Sequence, residues 1–228
     1  MKNNPRVSAV IVAAGSGTRM GGISKPLITL GKKTVFERVI DAFCSAELID
    51  DIIVVCKDKT EYEKLIPECV KPVTYVQGGK TRCDSVYNGV MLANGCFVCI
   101  HDCARPFIKP EDIDKLVTCA YKSGAACACT PVNDTIKYVD NAQKLIYTPK
   151  RDNLLSLQTP QIFKKDIYTV AYLKAKADNL LTTDDTAIVE HSGFKVEYLP
   201  IGSYNIKLTN TDDIKTAKAM VFLNEKEL

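Results

Sequence analysis

Short apolar runs of strand length alternate with segments of helical periodicity along most of this 228-residue chain, and that alternation restricts the fold more than any other feature. The strand candidates are Val7–Ala13, Asp51–Cys56, Val73–Val76, Phe97–His101 and Ala125–Val132. Between them, Val35, Phe36, Val39, Ile40 and Phe43 recur on one helix face, and Thr34 with Glu37 has the spacing of a capping box. A second helix fits Asp84–Ala93. A third opens at Pro110, a residue tolerated in a first turn, and ends before Gly124. Strands alternating with helices need crossover connections, which implies an α/β fold with a mostly parallel sheet flanked by helices. In such sheets ligands bind at the carboxyl ends of the strands, so the residues just after each strand are the ones to read for chemistry.

The rhythm breaks between Thr135 and Leu157. Two short alternating runs joined by the polar Asp-Asn-Ala-Gln turn read as an antiparallel hairpin, too small to be stable alone. A hairpin projecting from an α/β body must lean on something, and a second copy of the chain is the economical partner, which predicts a homodimer. Beyond it the pattern predicts helices near Lys164–Lys176 and within Thr186–Ser192, the latter ending at Gly193. Strands are expected at Val196–Pro200 and Asn205–Leu208, followed by a helix opening at Asn210 with Asp212 and Asp213 in its first turn. There is no internal repeat, low-complexity tract or linker. Residues 1–228 therefore read as one domain with an arm at about 135–157.

Composition narrows the function classes. Thirty Lys and Arg against 27 Asp and Glu leave a net charge of +3, which argues against a nucleic-acid partner. No apolar run approaches the ~18–20 residues of a membrane span. The stretch Val7–Gly15 resembles a short secretory core but runs straight into a glycine-rich loop, so it reads as a first core strand and the chain as cytoplasmic. The 10 cysteines sit largely within apolar runs. Cys96 and Cys99 have metal-knuckle spacing, but no second pair follows at the right distance and His101 is the only nearby imidazole. Buried reduced thiols are the expected state.

The sharpest motif is the strand followed at once by Ala13-Ala14-Gly15-Ser16-Gly17-Thr18-Arg19-Met20-Gly21-Gly22. Glycines let backbone amides approach an anion closely. A Walker loop is excluded because no Gly-Lys-Ser/Thr follows, and a dinucleotide fingerprint is excluded by Met20 at the third glycine. Arg19 in the loop suits a triphosphate, whose oxygens a guanidinium can bind in pairs. Lys25 follows within reach. A second glycine-rich turn, Gly78-Gly79-Lys80-Thr81-Arg82-Cys83-Asp84-Ser85, comes after another strand, and His101-Asp102-Cys103-Ala104-Arg105-Pro106 after a third.

These segments, with Pro-Val-Asn-Asp-Thr-Ile-Lys (131–137), Gln-Thr-Pro-Gln-Ile-Phe (158–163), Thr-Asp-Asp-Thr-Ala-Ile-Val-Glu-His-Ser-Gly (183–193) and Asn-Ile-Lys-Leu-Thr-Asn (205–210), resemble the 2-C-methyl-D-erythritol 4-phosphate cytidylyltransferases of the non-mevalonate isoprenoid pathway. The similarity runs from about Val7 to Met220, with the blocks in register. It implies a Rossmann-like nucleotidyltransferase body with a β-arm exchanged across a homodimer. It also implies a reaction in which the phosphate of an alditol phosphate attacks the α-phosphorus of CTP and releases pyrophosphate.

The resemblance carries roles onto matching positions. Arg19 and Lys25 would stabilise the transition state, while Arg151 and Lys207 would hold the acceptor phosphate. Ala13, Ala14, Gly15, Gly17, Gly78, Gly79, Ser85 and Asp102 would line the CTP site. Asp102, Arg105, Thr135 and Thr159 would meet the acceptor. Mg²⁺ would be held mostly by triphosphate oxygens, with Asp102 the nearest carboxylate. Three positions depart from the family pattern: the segment Ser24-Lys25-Pro26-Leu27 is one residue shorter after the loop, Cys103 replaces an alanine, and Lys80 replaces an acidic residue. Rival readings are a cytidylyltransferase for another alditol phosphate, such as ribitol 5-phosphate, and a nucleotide-binding regulatory protein without turnover.

Overall fold

A computed structural model describes residues 4–15, 24–66, 71–180, 182 and 184–224 of the chain. The first half runs β1 (Val7–Val12), β2 (Thr29–Leu30), β3 (Lys33–Thr34), α1 (Val35–Ser45), β4 (Asp51–Cys56), α2 (Thr60–Glu63), β5 (Val73–Gln77), α3 (Arg82–Leu92) and β6 (Phe97–Asp102). It continues with α4 (Pro110–Ser123), β7 (Ala125–Pro131), β8 (Tyr138–Val139), β9 (Leu145–Tyr147) and β10 (Leu155–Lys164). The chain closes with α5 (Lys165–Ala177), α6 (Asp185–His191), β11 (Glu197–Pro200) and α7 (Thr211–Asn224).

Seven strands form one sheet in the order β11-β7-β10-β6-β1-β4-β5. All neighbouring pairs are parallel except those of β10, which runs antiparallel between β6 and β7. Every residue of β4 and β6 is buried, as expected of strands covered on both faces. One face packs Phe36, Val39, Ile40 and Phe43 of α1 with Ile113, Leu116 and Val117 of α4. The other packs Val86 and Val90 of α3 with Tyr168, Ala171 and Tyr172 of α5 and Ile188 and Val189 of α6. Helix α3 comes so close to the sheet that a Cβ on Gly89 would lie 2.5 Å from Val10 Cγ1, so only glycine fits there.

Local sequence explains the boundaries. Thr34 accepts from the Glu37 amide at 3.1 Å while Glu37 accepts from the Thr34 amide at 2.6 Å, the reciprocal cap that the spacing predicts. Thr81 and Asp84 repeat the device at the start of α3. Helix α4 starts at Pro110 and stops at Gly124, whose φ of 83° is the left-handed region that favours glycine. The hairpin β8–β9 lies where the polar turn predicts it.

Two elements depart from the sequence reading. The periodicity offers no strand over Leu155–Lys164, because Pro160 lies in its middle and Gln158, Thr159 and Gln161 are polar. In the structure the ladder between β10 and β7 shifts register between Leu157 and Gln161, so Pro160 sits where no amide is needed. Conversely, Asn205–Leu208 is not a strand. Its alternation is real but serves two different surroundings: Leu208 and Ile206 pack with Leu30, Val35 and Ala217, while Asn205 and Lys207 bond to side chains at the end of the sheet.

Of the described cysteines, eight are free thiols, of which only Cys96 is exposed, and Cys44 is disulfide-bonded, so most of the described thiols are reduced as expected. No helix among the described residues is long and apolar enough to cross a membrane.

Candidate functional site

The sheet reverses direction of growth at β1, with β6 on one side and β4 and β5 on the other. Such a switch point opens a crevice at the carboxyl ends of the strands. Register places Val12, the last residue of β1, beside Asp102, the last residue of β6. Around this point lie three hollows of about 180, 240 and 350 Å³ that all have Arg82 in their walls.

On the first side the wall is Ala13, Gly15, Lys25, Asp102 and Lys207. Lys25 opens a short 3₁₀ turn, Lys25–Leu27, in which Pro26 is buried, so the shortened segment still delivers the lysine to the cleft. The second hollow is lined by Ala14, Gly15, Gly79 and Ser85, with Lys57 and Lys80 also in its wall. Gly78 packs beneath it, since a Cβ there would lie 2.5 Å from the Ala14 Cβ. The Gly79 amide donates to Ser85 Oγ at 2.9 Å, tying the second glycine turn to α3. The third hollow is lined by Arg105, Thr159 and Gln161, with Asp102 and Lys207 shared.

Asp102 is the hub. Its Oδ1 accepts from Arg82 Nε at 3.1 Å and Nη2 at 2.9 Å, and its Oδ2 from Lys207 Nζ at 2.5 Å. Burial opposes a charge on this carboxyl, but Arg82 and Lys207 outweigh it and hold its pKa well below the usual carboxylate range. Arg82 also donates to Asp185 Oδ2 at 2.7 Å, and Tyr168 donates to the other oxygen of Asp185 at 3.0 Å. Burial pushes Asp185 up against those partners. Burial likewise disfavours the Arg82 charge, but two carboxylates more than restore it.

Further hydrogen bonds fix Asp102 from behind. The Asp102 amide donates to Thr159 Oγ1 at 3.0 Å, and Thr159 Oγ1 lies 3.1 Å from His101 Nδ1. His101 Nε2 lies 3.2 Å from the Arg105 carbonyl, which can only accept, so Nε2 carries the proton and Nδ1 accepts from Thr159. Burial lowers the His101 pKa to about 4, leaving a neutral ring. Arg105 Nη1 donates to the Asn205 carbonyl at 2.8 Å, and burial lowers its pKa too. Cys103 is fully buried beside Asp102, with its amide bonded to the Val12 carbonyl at 3.1 Å, so the replacement sits in the core and leaves the cleft unchanged.

The cleft thus gathers Ala13, Ala14, Gly15, Lys25, Gly79, Ser85, Asp102, Arg105, Thr159 and Lys207. Gly17 and Arg19 lie outside the described residues. Thr135 and Arg151 do not join the cleft of their own chain: both are exposed, and Arg151 Nη1 donates to the Asn133 carbonyl at 2.8 Å. Sequence reasoning missed Arg82. The available signal was its place in the first turn of α3, where the helix dipole disfavours a cation and a different requirement must hold it.

Known proteins resemble this chain in both sequence and fold. Residues 7–223 match the family model described as 2-C-methyl-D-erythritol 4-phosphate cytidylyltransferase. The chain belongs to that family. A 2-C-methyl-D-erythritol 4-phosphate cytidylyltransferase of Clostridium botulinum (strain Eklund 17B) is 39% identical over 221 residues, covering 94% of this chain and 99% of the relative. Among solved structures, the 4-diphosphocytidyl-2C-methyl-D-erythritol synthase of Anaerococcus prevotii superposes with a TM-score of 0.87 at 31% identity, covering 96% of both chains. The 2-C-methyl-D-erythritol 4-phosphate cytidylyltransferase of Thermus thermophilus gives 0.77 at 26% identity, covering 95% of this chain and 99% of that one. Within this cytidylyltransferase family the mostly parallel sheet and flanking helices are the shared frame, and the hub at Asp102 sits at its switch point.

The His101 relay makes a pH prediction. Its folded pKa is depressed, so the unfolded state binds more protons between about pH 6.5 and 4, and stability falls as pH falls through that window. At its steepest this group contributes about 1.4 kcal/mol per pH unit. Urea unfolding of the wild type and His101→Gln across that range should show a shallower pH slope in the variant. Equal slopes would mean that His101 is not the group being titrated.

Proposed function

We propose that the chain joins CTP to 2-C-methyl-D-erythritol 4-phosphate, forming the CDP-linked alditol and pyrophosphate in isoprenoid precursor synthesis. The observation that carries this reading is the hub: one ionised, buried carboxylate orienting Arg82 and Lys207 at a cleft that Lys25 also lines. A triphosphate and a phosphate monoester repel, so their reaction needs cations in fixed positions more than it needs a base. The monoester is already largely dianionic at neutral pH. His101 is buried, neutral and bonded at both nitrogens, so it serves as a support for Asp102 and Thr159.

In the proposed cycle the triphosphate lies along Ala13, Ala14 and Gly15, with Gly17 and Arg19 continuing the loop and Gly78, Gly79 and Ser85 flanking the base. Lys25 faces the reacting α-phosphate with Arg19. A monoester oxygen forms a bond to the α-phosphorus as the bond from that phosphorus to the bridging oxygen of pyrophosphate breaks. Lys207 holds the monoester, and Asp102, Arg105 and Thr159 face the alcohol. A magnesium ion would suit a donor set of triphosphate oxygens with one ionised carboxylate, Asp102, whose Oδ2 keeps a lone pair beyond the one used by Lys207 while Arg82 takes both of Oδ1. Its chemistry when bound is to neutralise phosphate charge.

The whole chain would act as one nucleotidyltransferase domain, working in the cytoplasm, with the arm at about 135–157 serving a homodimer. Supporting this, the arm exposes Ile136, Tyr138, Val139, Leu145, Ile146 and Tyr147, an apolar load that an isolated hairpin would not keep in water. Thr135 and Arg151, remote from their own cleft, would then complete the partner's site, with Arg151 gripping the acceptor phosphate opposite Lys207.

Pyrophosphate release tests the activity. With Mg²⁺, each of the four nucleoside triphosphates and a panel of alditol phosphates, CTP with 2-C-methyl-D-erythritol 4-phosphate should turn over fastest. Equal rates with UTP would contradict the base assignment, and faster turnover of ribitol 5-phosphate would transfer the protein to that substrate.

The shared site makes its own prediction. Arg151→Ala and Lys207→Ala homodimers should each be nearly inactive. Refolded together in equal amounts, half the dimers are mixed, and each mixed dimer holds one site with neither lesion, so roughly a quarter of all sites recover. Confirmed heterodimers without recovery would show that each arm serves its own subunit.

A further inference from the structure

Arg82 meets Asp102 on one oxygen only. A guanidinium beside a carboxylate commonly sets two parallel N–H bonds on the two carboxylate oxygens. Here Nε and Nη2, the edge suited to that fork, converge on the single Oδ1 of Asp102 at 3.1 and 2.9 Å. The other oxygen, Oδ2, is left to Lys207 Nζ at 2.5 Å. The remaining nitrogen of Arg82, Nη1, donates to Asp185 Oδ2 at 2.7 Å, and the Tyr168 hydroxyl donates to Asp185 Oδ1 at 3.0 Å. The guanidinium is thus held at two corners, by carboxyls from β6 and α6.

Asp185 has no direct part in the cleft. It is 0% exposed and lines none of the three hollows, so it cannot touch a substrate. It opens α6, but the cap of that helix is Asp184, whose side chain accepts from the Ala187 amide at 3.2 Å. Tyr168, which supports it from behind, is fully buried as well. Stability does not account for a carboxyl in this place, because apolar residues of similar volume often replace a buried ion pair with no loss. Its burial against one guanidinium points to the orientation of that guanidinium.

We infer that Asp185 is a positioning residue: by anchoring Arg82 Nη1 it keeps the guanidinium from forking across both oxygens of Asp102, and so reserves Oδ2 for Lys207. This rests on the proposed function, in which Lys207 holds the acceptor phosphate, and adds what keeps that lysine in place. Once released, Arg82 takes both oxygens, and Lys207, 37% exposed, turns to water. The damage then falls on the acceptor. The nucleotide hollow keeps its own tie, from the Gly79 amide to Ser85 Oγ.

The test is steady-state kinetics of Asp185→Leu, Asp185→Asn and Tyr168→Phe with CTP, 2-C-methyl-D-erythritol 4-phosphate and Mg²⁺. Leucine removes both oxygens that could hold Arg82. It should lower kcat/KM for the acceptor about 10-fold or more while KM for CTP stays within about twofold of the wild type. In Asp185→Asn the amide oxygen still accepts from Arg82 and the amide nitrogen donates to the Tyr168 oxygen, so most of that loss should be recovered. Tyr168→Phe loosens Asp185 and should cost the acceptor about two- to fivefold, again sparing CTP. A residue that only braced the fold would not tell the two substrates apart, so equal losses toward both in Asp185→Leu overturn the inference. Acceptor kinetics within about twofold of the wild type in that variant overturn it too, as does a loss in Asp185→Asn as deep as that in Asp185→Leu. Should Asp185→Leu not fold, Tyr168→Phe decides: a loss confined to the acceptor supports the inference, and no loss or a shared loss overturns it. Failure of the proposed function is a different result, since the wild type would then not turn over this pair of substrates at all.

Discussion

A single ionised carboxylate, buried at the end of a central strand, organises everything that matters in this protein. Asp102 holds Arg82 with one oxygen and Lys207 with the other, and those two cations come from distant parts of the sequence. Removing both cations would leave a buried carboxylate uncompensated, whereas Arg82 and Lys207, 26% and 37% exposed, keep access to water. The arrangement therefore fixes cation positions before any phosphate arrives. Fixed positions are what a reaction between two anions requires, since reorientation costs nothing further at the moment of attack.

The fold supplies that carboxylate through register. Parallel pairing of β1 with β6 aligns Val12 with Asp102, so the turn after β1 and the hub lie side by side. Helix α3, drawn against β1 and β4 by the bare Gly89, points its first turn at the same place and delivers Arg82. The antiparallel β10 closes the other side, where Thr159 bonds the Asp102 amide and Gln161 faces the cavity. The two halves of the cleft thus have different characters. Under the proposed function the glycine turns and lysines would form the nucleotide side, and the buried amides and Arg105 the acceptor side.

Much of this was legible in the sequence, for definable reasons. Asp51–Cys56 is six apolar-rich residues buried on both faces, and its boundaries follow from composition alone. The caps at Thr34 and Gly124 are local chemistry, readable within four residues. Strand β10 was hidden because its polar residues answer to partners far along the chain: Gln161 to Asp184, Thr159 to His101 and Asp102. Asn205–Leu208 misled in the opposite way, its alternation arising from two unlike surroundings without a ladder. Arg82 escaped because its value depends on two carboxylates 20 and 103 residues away. Glycine loops announce themselves in sequence, but ion pairs across the fold do not.

The central claim is that the charge of Asp102, and not merely its shape, sets the cleft. Asp102→Asn tests it, because the amide keeps the size of the side chain and an acceptor for Arg82 while losing the charge that holds Lys207. Steady-state turnover of CTP and the acceptor should fall at least ~100-fold, with the variant still folded through the bond between Arg82 and Asp185. Turnover within about twofold of the wild type in a folded variant would contradict the account.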